Sequence, residues 1–483
     1  MNEVELLIRG QGVRAEGGRT FDRIDPVKRI AVTKAAAASR SDVHAAVEAA
    51  ASAFPAWAST GPSRRRELLL FAADVLIAHK KEFVASMIAE IGATAGWAEF
   101  NVAFGATLLR EAASITSQIT GEVILSDVPE NLALSIRQPR GVCVGIAPWN
   151  APIILGLRAI AVPVACGNTV VFKASESCPA VHRLLGTVLT EAGLPDGVVN
   201  VLTNAPQDAA EIVGALIDHP MVRHINFTGS TRVGRIVAER AAHHLKPVLL
   251  ELGGKAPLIV LSDADLDAAV NAVAFGAFLN QGQICMSTER VVVESSIADE
   301  FVTRLAAKAS GLPLQDPSLG PTVLGSLVDQ RSADRVHDLV KDAAQKGAHV
   351  AAGGNGTGTL LPATVVDHVT PAMRIYVEES FGPVVTVVRV QGDDEAVRIA
   401  NDTEYGLSAA VFSRNVSRAW EVARRIESGI CHINGPTVHD EPQMPFGGVK
   451  ASGYGRFGGK AGIEEFTVLR WITIQAGARH YPF

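Results

Sequence analysis

The run Asn280-Gln281-Gly282-Gln283-Ile284-Cys285-Met286 holds the side chain with the most chemistry to offer. A free thiol titrates near about 8.5 and, as thiolate, attacks carbonyl carbon. A cysteine between isoleucine and methionine is more often a small buried hydrophobe. Other stretches change that balance, because each could supply something a thiolate needs. Pro148-Trp149-Asn150 offers a side-chain N–H, and the backbone N–H of Cys285 a second, for the oxyanion formed on attack. Glu251-Leu252-Gly253-Gly254 offers a carboxylate base, then two glycines that allow close backbone approach. Phe227-Thr228-Gly229-Ser230 sets backbone donors at a helix start, which suits a pyrophosphate. Lys173 could hold hydroxyls or a phosphate.

These residues need elements to bring them together. Strand-like runs at 141–147, 169–172, 198–202, 222–227, 248–250 and 257–261 alternate with helical patterns at 152–165, 180–192, 208–216 and 231–243. Buried, continuous apolar strands alternating with helices predict a doubly wound parallel sheet, which binds ligands at the carboxyl ends of its strands. Pro148–Asn150, Lys173 and Thr228–Ser230 each follow such a strand. A second alternating set has strands at 290–293, 384–388, 409–412 and 430–433, with helices near 297–309, 329–346, 394–401 and 416–427. Cys285 falls early in that set, at the seam where clefts form. Ahead of both, residues 1–40 read as short strands and turns, and 41–120 as helices, with Ser41 able to cap the first. Leu132, Leu134 and Ile136 alternate with polar or small residues, as does the run 468–474. They form either an arm that reaches another chain or an ordinary hairpin on the parent domain.

A chain of 483 residues exceeds one ordinary core, so two or more domains are expected. A net charge of -6 without a basic stripe or tail argues against nucleic acid. Arg64-Arg65-Arg66 opens a helical segment and reads as a solvated face. Five cysteines without Cys-x-x-Cys or zinc-like spacing indicate free thiols in a reducing compartment, hence the cytoplasm, and no metal site. Cys143 and Cys431 lie in apolar strand-like runs and read as core. The N-terminus lacks the pattern of a signal peptide. The longest apolar stretch, 153–166, contains Arg158 and Pro163 and is too short to span a bilayer.

Taken together, the motifs resemble the aldehyde dehydrogenase superfamily over essentially the whole chain. They are Pro148-Trp149-Asn150, Lys173-Ala174-Ser175-Glu176, Phe227-Thr228-Gly229-Ser230-Thr231, Glu251-Leu252-Gly253-Gly254-Lys255, Gly282-Gln283-Ile284-Cys285, Glu379-Ser380-Phe381-Gly382-Pro383 and Pro445-Phe446-Gly447-Gly448. The Gly-x-Gly-x-x-Gly fingerprint of ordinary dinucleotide folds is absent, as the resemblance implies it should be. The implied fold is α/β: a Rossmann-like cofactor domain (1–120 and 141–252), a second α/β catalytic domain (253–450) and a β-strand oligomerisation arm (121–140 and 465–483). The implied cofactor is NAD, and the implied assembly a homodimer or homotetramer, with no membrane partner. Cys285 would attack the aldehyde, Asn150 would hold the oxyanion and Glu251 would activate the hydrolytic water. Lys173 and Glu176 would meet the adenosine ribose, with Glu176 repelling a 2′-phosphate and so favouring NAD over NADP. Gly229 and Ser230 would meet the pyrophosphate, and Glu379 and Phe381 the nicotinamide ribose. Ile146, Pro148 and Trp149 would line the cofactor cleft, with Leu252 and Gly253 near the nicotinamide.

Within that family the chain looks most like the vanillin and salicylaldehyde dehydrogenases, partly through Gly455-Arg456-Phe457-Gly458-Gly459-Lys460 and Arg479-His480-Tyr481-Pro482-Phe483. An aromatic aldehyde, optionally hydroxylated, is therefore the expected substrate. Trp97, Ile284, Met286, Phe446 and the loop 435–444 would wall its pocket. Arg158 is either a surface or interface residue or a donor to a ring hydroxyl or phenolate. A succinate-semialdehyde or other aliphatic specificity is the alternative, and Arg158 keeps it open. A cysteine hydrolase would leave the cofactor residues without a task. A non-catalytic relative would have lost Cys285, Glu251 or Asn150, and all three are present.

Overall fold

The apolar runs of the middle of the chain pair with one another to make the first of two large sheets. The computed structural model describes residues 1–483. Val248–Glu251, Val222–Thr228, Val142–Ile146, Thr169–Lys173 and Val199–Leu202 lie side by side in that order, all parallel. Gly453–Tyr454 closes one edge antiparallel, and Leu6–Ile8 with Gln11–Val13 closes the other. The chain lays strands outward from Val142–Ile146 in one direction, then returns to lay Val222–Thr228 on its other side. The crevice at that reversal is where such sheets take ligands, and Ile146, Asn150, Gly229 and Ser230 stand at or just past the two strand ends.

The second sheet follows the same logic. Thr364–Asp367, Val384–Val390, Thr288–Glu294, Ala256–Val260, Ser408–Phe412 and Ile430–Ile433 run parallel, with His349–Ala352 antiparallel at one edge. Helices cover both faces, so successive side chains alternate between cores: Val291 and Val293 pack into one cluster and Val292 into the other. This is why apolar residues run consecutively in these strands, as in Val291-Val292-Val293, rather than falling at every second position.

Four helices, Arg40–Ala58, Pro62–Ala78, Lys80–Ile91 and Ala95–Ile115, precede the parallel strands of the first sheet. Ser39, not Ser41, caps the first: its hydroxyl accepts from Asp42 N while the Asp42 carboxylate accepts from Ser39 N, a capping box. Arg65 departs from the expected solvated face and is buried. It stands on the inward stripe of its helix with Leu68, Leu69, Ala72 and Leu76, so helical spacing overrides its charge. Cys431 is also a correction: it is exposed, because Ile430–Ile433 is the outer strand of its sheet.

The two alternating runs pair with each other inside the chain. Thr467–Gln475 lies antiparallel to Asn131–Pro139 along its full length, and Glu122–Ile124 adds a third strand. Exposed Leu469 and Trp471 share one face of this ribbon and exposed Ile474 lies on the other, with exposed Leu125 just past the short strand. No helix is long and apolar enough to cross a membrane.

Candidate active site

Cys285 sits in a tight loop between the short turn Leu279–Gly282 and the strand Thr288–Glu294. Asn280, Gln281 and Gly282 all have left-handed backbone, with φ of 49°, 56° and 68°. Two of these carry side chains, so the conformation is strained and has to be held from outside. Asn280 Nδ2 donates to Asn150 O at 3.0 Å, Gln281 Nε2 to Ser326 O at 3.0 Å, and Gln283 Oε1 accepts from Val328 N at 3.0 Å. At Gly282 a Cβ would stand 2.0 Å from Gly382 O, and at Gly254 one would stand 2.3 Å from Cys285 O. Only glycine lets these backbones approach the nucleophile loop so closely.

Asn150 follows the strand Val142–Ile146, and Pro152 then starts the helix Pro152–Ala165 at its favoured first position. The Asn150 carbonyl also accepts from Trp97 Nε1 at 2.9 Å, and its side-chain amide donates to Gln283 O at 2.9 Å. That amide is therefore buried beside the cysteine and already aimed at the Cys285 loop.

Glu251 ends its strand fully buried, and neither carboxylate oxygen accepts a well-formed hydrogen bond. Burial pushes its pKa up to about 8, partly offset by the charge of Arg158 and by the nearby Cys285 thiol. The thiol is pushed well up in turn, by burial first and then by the negative charge of Glu251 and Glu379. Two adjacent anions are disfavoured, so a proton lost from the thiol has Glu251 as its acceptor.

On one side of Cys285 lies a cavity of about 480 Å³. Every residue expected for the substrate lines it: Trp97, Arg158, Ile284, Met286 and Phe446, together with Asn150 and Cys285. Phe100 and Phe104, not anticipated from the sequence, extend the aromatic wall by stacking from Trp97, with ring centroids 5.5 and 5.6 Å apart. Arg158 is no surface residue. It is 5% exposed, lies over the Phe446 ring at 4.1 Å, and is paired with Asp440. The loop 435–444 accordingly supplies not only apolar Pro436 and Val438 but also His439 and Asp440.

The residues expected to hold a dinucleotide stand outside that cavity. Lys173 ends its strand and pairs with Glu176, whose Oε1 also accepts from Asn204 Nδ2 at 2.9 Å. Burial opposes ionisation of Glu176, but the charge and hydrogen bond of Lys173 outweigh it and hold the carboxyl below the usual range. An ionised acceptor there fits a ribose diol and repels a phosphate. Ser230 caps the helix Thr231–His243, with Gly229 just before it. Beside the buried Leu252, Gly254 N donates to Glu379 Oε1 at 2.9 Å, which sets Glu379 against Gly253. Burial raises the Glu379 pKa to about 7. Trp149, beyond Pro148, meets Phe381 edge-on at 5.8 Å.

A fully buried ion pair fixes this second wall. Lys255 Nζ donates to Glu289 Oε2 at 2.7 Å, and Glu289 Oε1 accepts from Ser380 N at 2.9 Å and Phe381 N at 3.1 Å. Glu289 was not anticipated from the sequence, where the expected strand began at Arg290. The charged pair Glu289-Arg290 entering the apolar run 291–293 is the signal that could have found it.

These features belong to a known class. The profile of the Aldehyde dehydrogenase family matches residues 13–472, and the chain is a member of that family. Among its relatives, a vanillin dehydrogenase of Pseudomonas fluorescens is 60% identical, with 100% of both chains covered. The crystal structure of a salicylaldehyde dehydrogenase from Pseudomonas putida G7 complexed with salicylaldehyde is 51% identical, covers 100% of both chains and superposes with a TM-score of 0.98. PnpE in complex with nicotinamide adenine dinucleotide is 37% identical, with 100% of this chain and 99% of that one covered, at a TM-score of 0.95.

Proposed function

We propose that this protein oxidises aromatic aldehydes, including ring-hydroxylated ones of the vanillin and salicylaldehyde kind, to carboxylic acids with NAD. The observation that carries the substrate class is the cavity beside Cys285: its walls are Trp97, Phe100, Phe104 and Phe446, and its one cation, Arg158, is already paired with Asp440. A succinate-semialdehyde specificity would need a free cation for the distal carboxylate.

In this reading Glu251 takes the Cys285 proton and the thiolate adds to the aldehyde carbon. The oxyanion is held by the Asn150 amide and the Cys285 backbone N–H. When bound, the nicotinamide supplies the hydride acceptor, and an acyl group is left on sulfur. Glu251 first releases the thiol proton to solvent and then takes a proton from water, whose oxygen adds to the thioester carbon. The C–S bond breaks, the carboxylic acid leaves, and Glu251 returns its proton to the sulfur to restore the thiol. Lys173, Glu176, Gly229, Ser230, Glu379 and Phe381 hold the dinucleotide, with Ile146, Pro148, Trp149, Leu252 and Gly253 around it. The ionised Glu176 favours NAD over NADP. With this reading goes a division into a cofactor part (1–120 and 141–252), a catalytic part (253–450) and an arm (121–140 and 465–483), with the exposed apolar residues of the ribbon joining copies into a homodimer or homotetramer in the cytoplasm.

A panel of aldehydes monitored by NADH absorbance tests this reading. Benzaldehydes should exceed succinate semialdehyde and aliphatic aldehydes in kcat/KM, and NAD should exceed NADP. The reverse order in either comparison overturns the corresponding half.

A further inference from the structure

Arg158 and Asp440 form the only charged feature in the aromatic wall of the substrate cavity, and the pair is asymmetric. Asp440 Oδ2 accepts from Arg158 Nη2, whereas Oδ1 is buried and has no partner. Arg158 is fixed in turn, its guanidinium lying over Phe446 at 4.1 Å and within 5.7 Å of Phe457. The neighbouring charged groups do not meet the need of Oδ1: His439 is turned to Glu441 at 3.1 Å. A buried carboxylate oxygen without a donor is costly unless a ligand supplies one.

We propose that Asp440 is a specificity residue whose free Oδ1 accepts a hydrogen bond from a neutral phenolic hydroxyl on the substrate ring, with Arg158 holding the carboxylate in place. This rests on the aromatic-aldehyde reading and deepens it. The donor lies on the substrate and the acceptor on the protein, the reverse of Arg158 donating to a phenolate. A phenolate, or a substrate carboxylate, would meet Oδ1 as a like charge. A methyl ether of the same ring fills similar space but brings no proton.

The test compares kcat/KM for the hydroxybenzaldehyde that the protein favours most with that for its methoxy analogue and for benzaldehyde. In Asp440→Asn the amide oxygen turns to Arg158 and an N–H₂ faces the cavity. The hydroxy-to-methoxy preference should then fall by roughly ten- to hundredfold, the range for a lost hydrogen bond to a charged group. An equal fall for all three aldehydes, or no change in the preference, overturns the proposal. A second readout needs no variant. In the unmodified protein the hydroxybenzaldehyde should lose kcat/KM relative to benzaldehyde as pH rises through the phenol's own pKa, and a relative gain overturns the proposal. Failure of the underlying reading looks different: benzaldehyde itself would not be turned over while aliphatic aldehydes are.

Discussion

Lys255–Glu289 and Arg158–Asp440 are ion pairs beside the Cys285 loop, the first fully buried on the cofactor side and the second mostly buried on the substrate side. Glu289 is saturated: both of its oxygens accept, from Lys255, from the Ser380 hydroxyl and from two backbone N–H groups. Asp440 lines the cavity and keeps one buried oxygen without a partner. Glu251 resembles Asp440 in this respect, with both oxygens unmatched. The contrast teaches that burial alone does not separate scaffold from site. What separates them is whether the hydrogen-bond capacity of a buried group is used up inside the protein.

The contrast breaks if the open groups prove structural or the saturated one proves catalytic. The largest effect is expected at Glu251. Glu251→Gln should lower kcat by roughly 10²–10⁴, as expected for loss of a general base. It should also alter stability with a definite sign. The folded pKa of about 8 lies above the ordinary 4.5, so the folded chain holds this proton more tightly than the unfolded one. Stability from this group is therefore complete at low pH and is lost as pH rises from the ordinary value through about 8. The glutamine variant should gain in melting temperature over the parent at pH 8.5 and show little gain at pH 5. A melting temperature lowered at both pH values would make Glu251 part of the scaffold.

Glu289→Gln should behave in the opposite way. It leaves Lys255 buried without a counter-charge, a loss of about 3–5 kcal/mol, seen as a lower urea midpoint at unchanged slope. The loosened Ser380–Phe381 backbone should raise KM for NAD more than it lowers kcat. A large fall in kcat at unchanged stability would overturn its assignment to the scaffold. Asn150→Ala should lower kcat by roughly 10²–10³, the range for one oxyanion donor, with NAD affinity retained when measured by fluorescence titration. An unchanged kcat removes Asn150 from the mechanism.

Much of this contrast could be read from the chain, but not its electrostatic half. The parallel strands announced themselves because both of their faces are buried, so runs such as 141–147 and 169–172 are apolar throughout. Cys285, Asn150 and Glu251 could be singled out because each sits in a short motif at a strand or loop end. Asp440 could not: its partner lies 282 residues away, and no local spacing announces a salt bridge between a helix and a distant loop. Arg65 misled because a run of charges resembles a solvated face until helical spacing decides otherwise. The edge strand Gly453–Tyr454 was missed because two residues carry no period. Sequence alternation alone could not choose between an arm and a hairpin for 132–136 and 468–474. Here the ribbon closes within the chain, and its apolar residues stay exposed.

The strained turn at Asn280–Gly282 has a consequence for motion. Its side chains reach Asn150, at the end of one sheet, and Ser326, beside the other. The sulfur is thereby tethered to two bodies at once. A displacement of one sheet relative to the other would therefore strain the nucleophile loop against its amide donor at Asn150. The fixed spacing between sulfur and amide thus depends on how the two halves of the molecule are held, not on the loop alone.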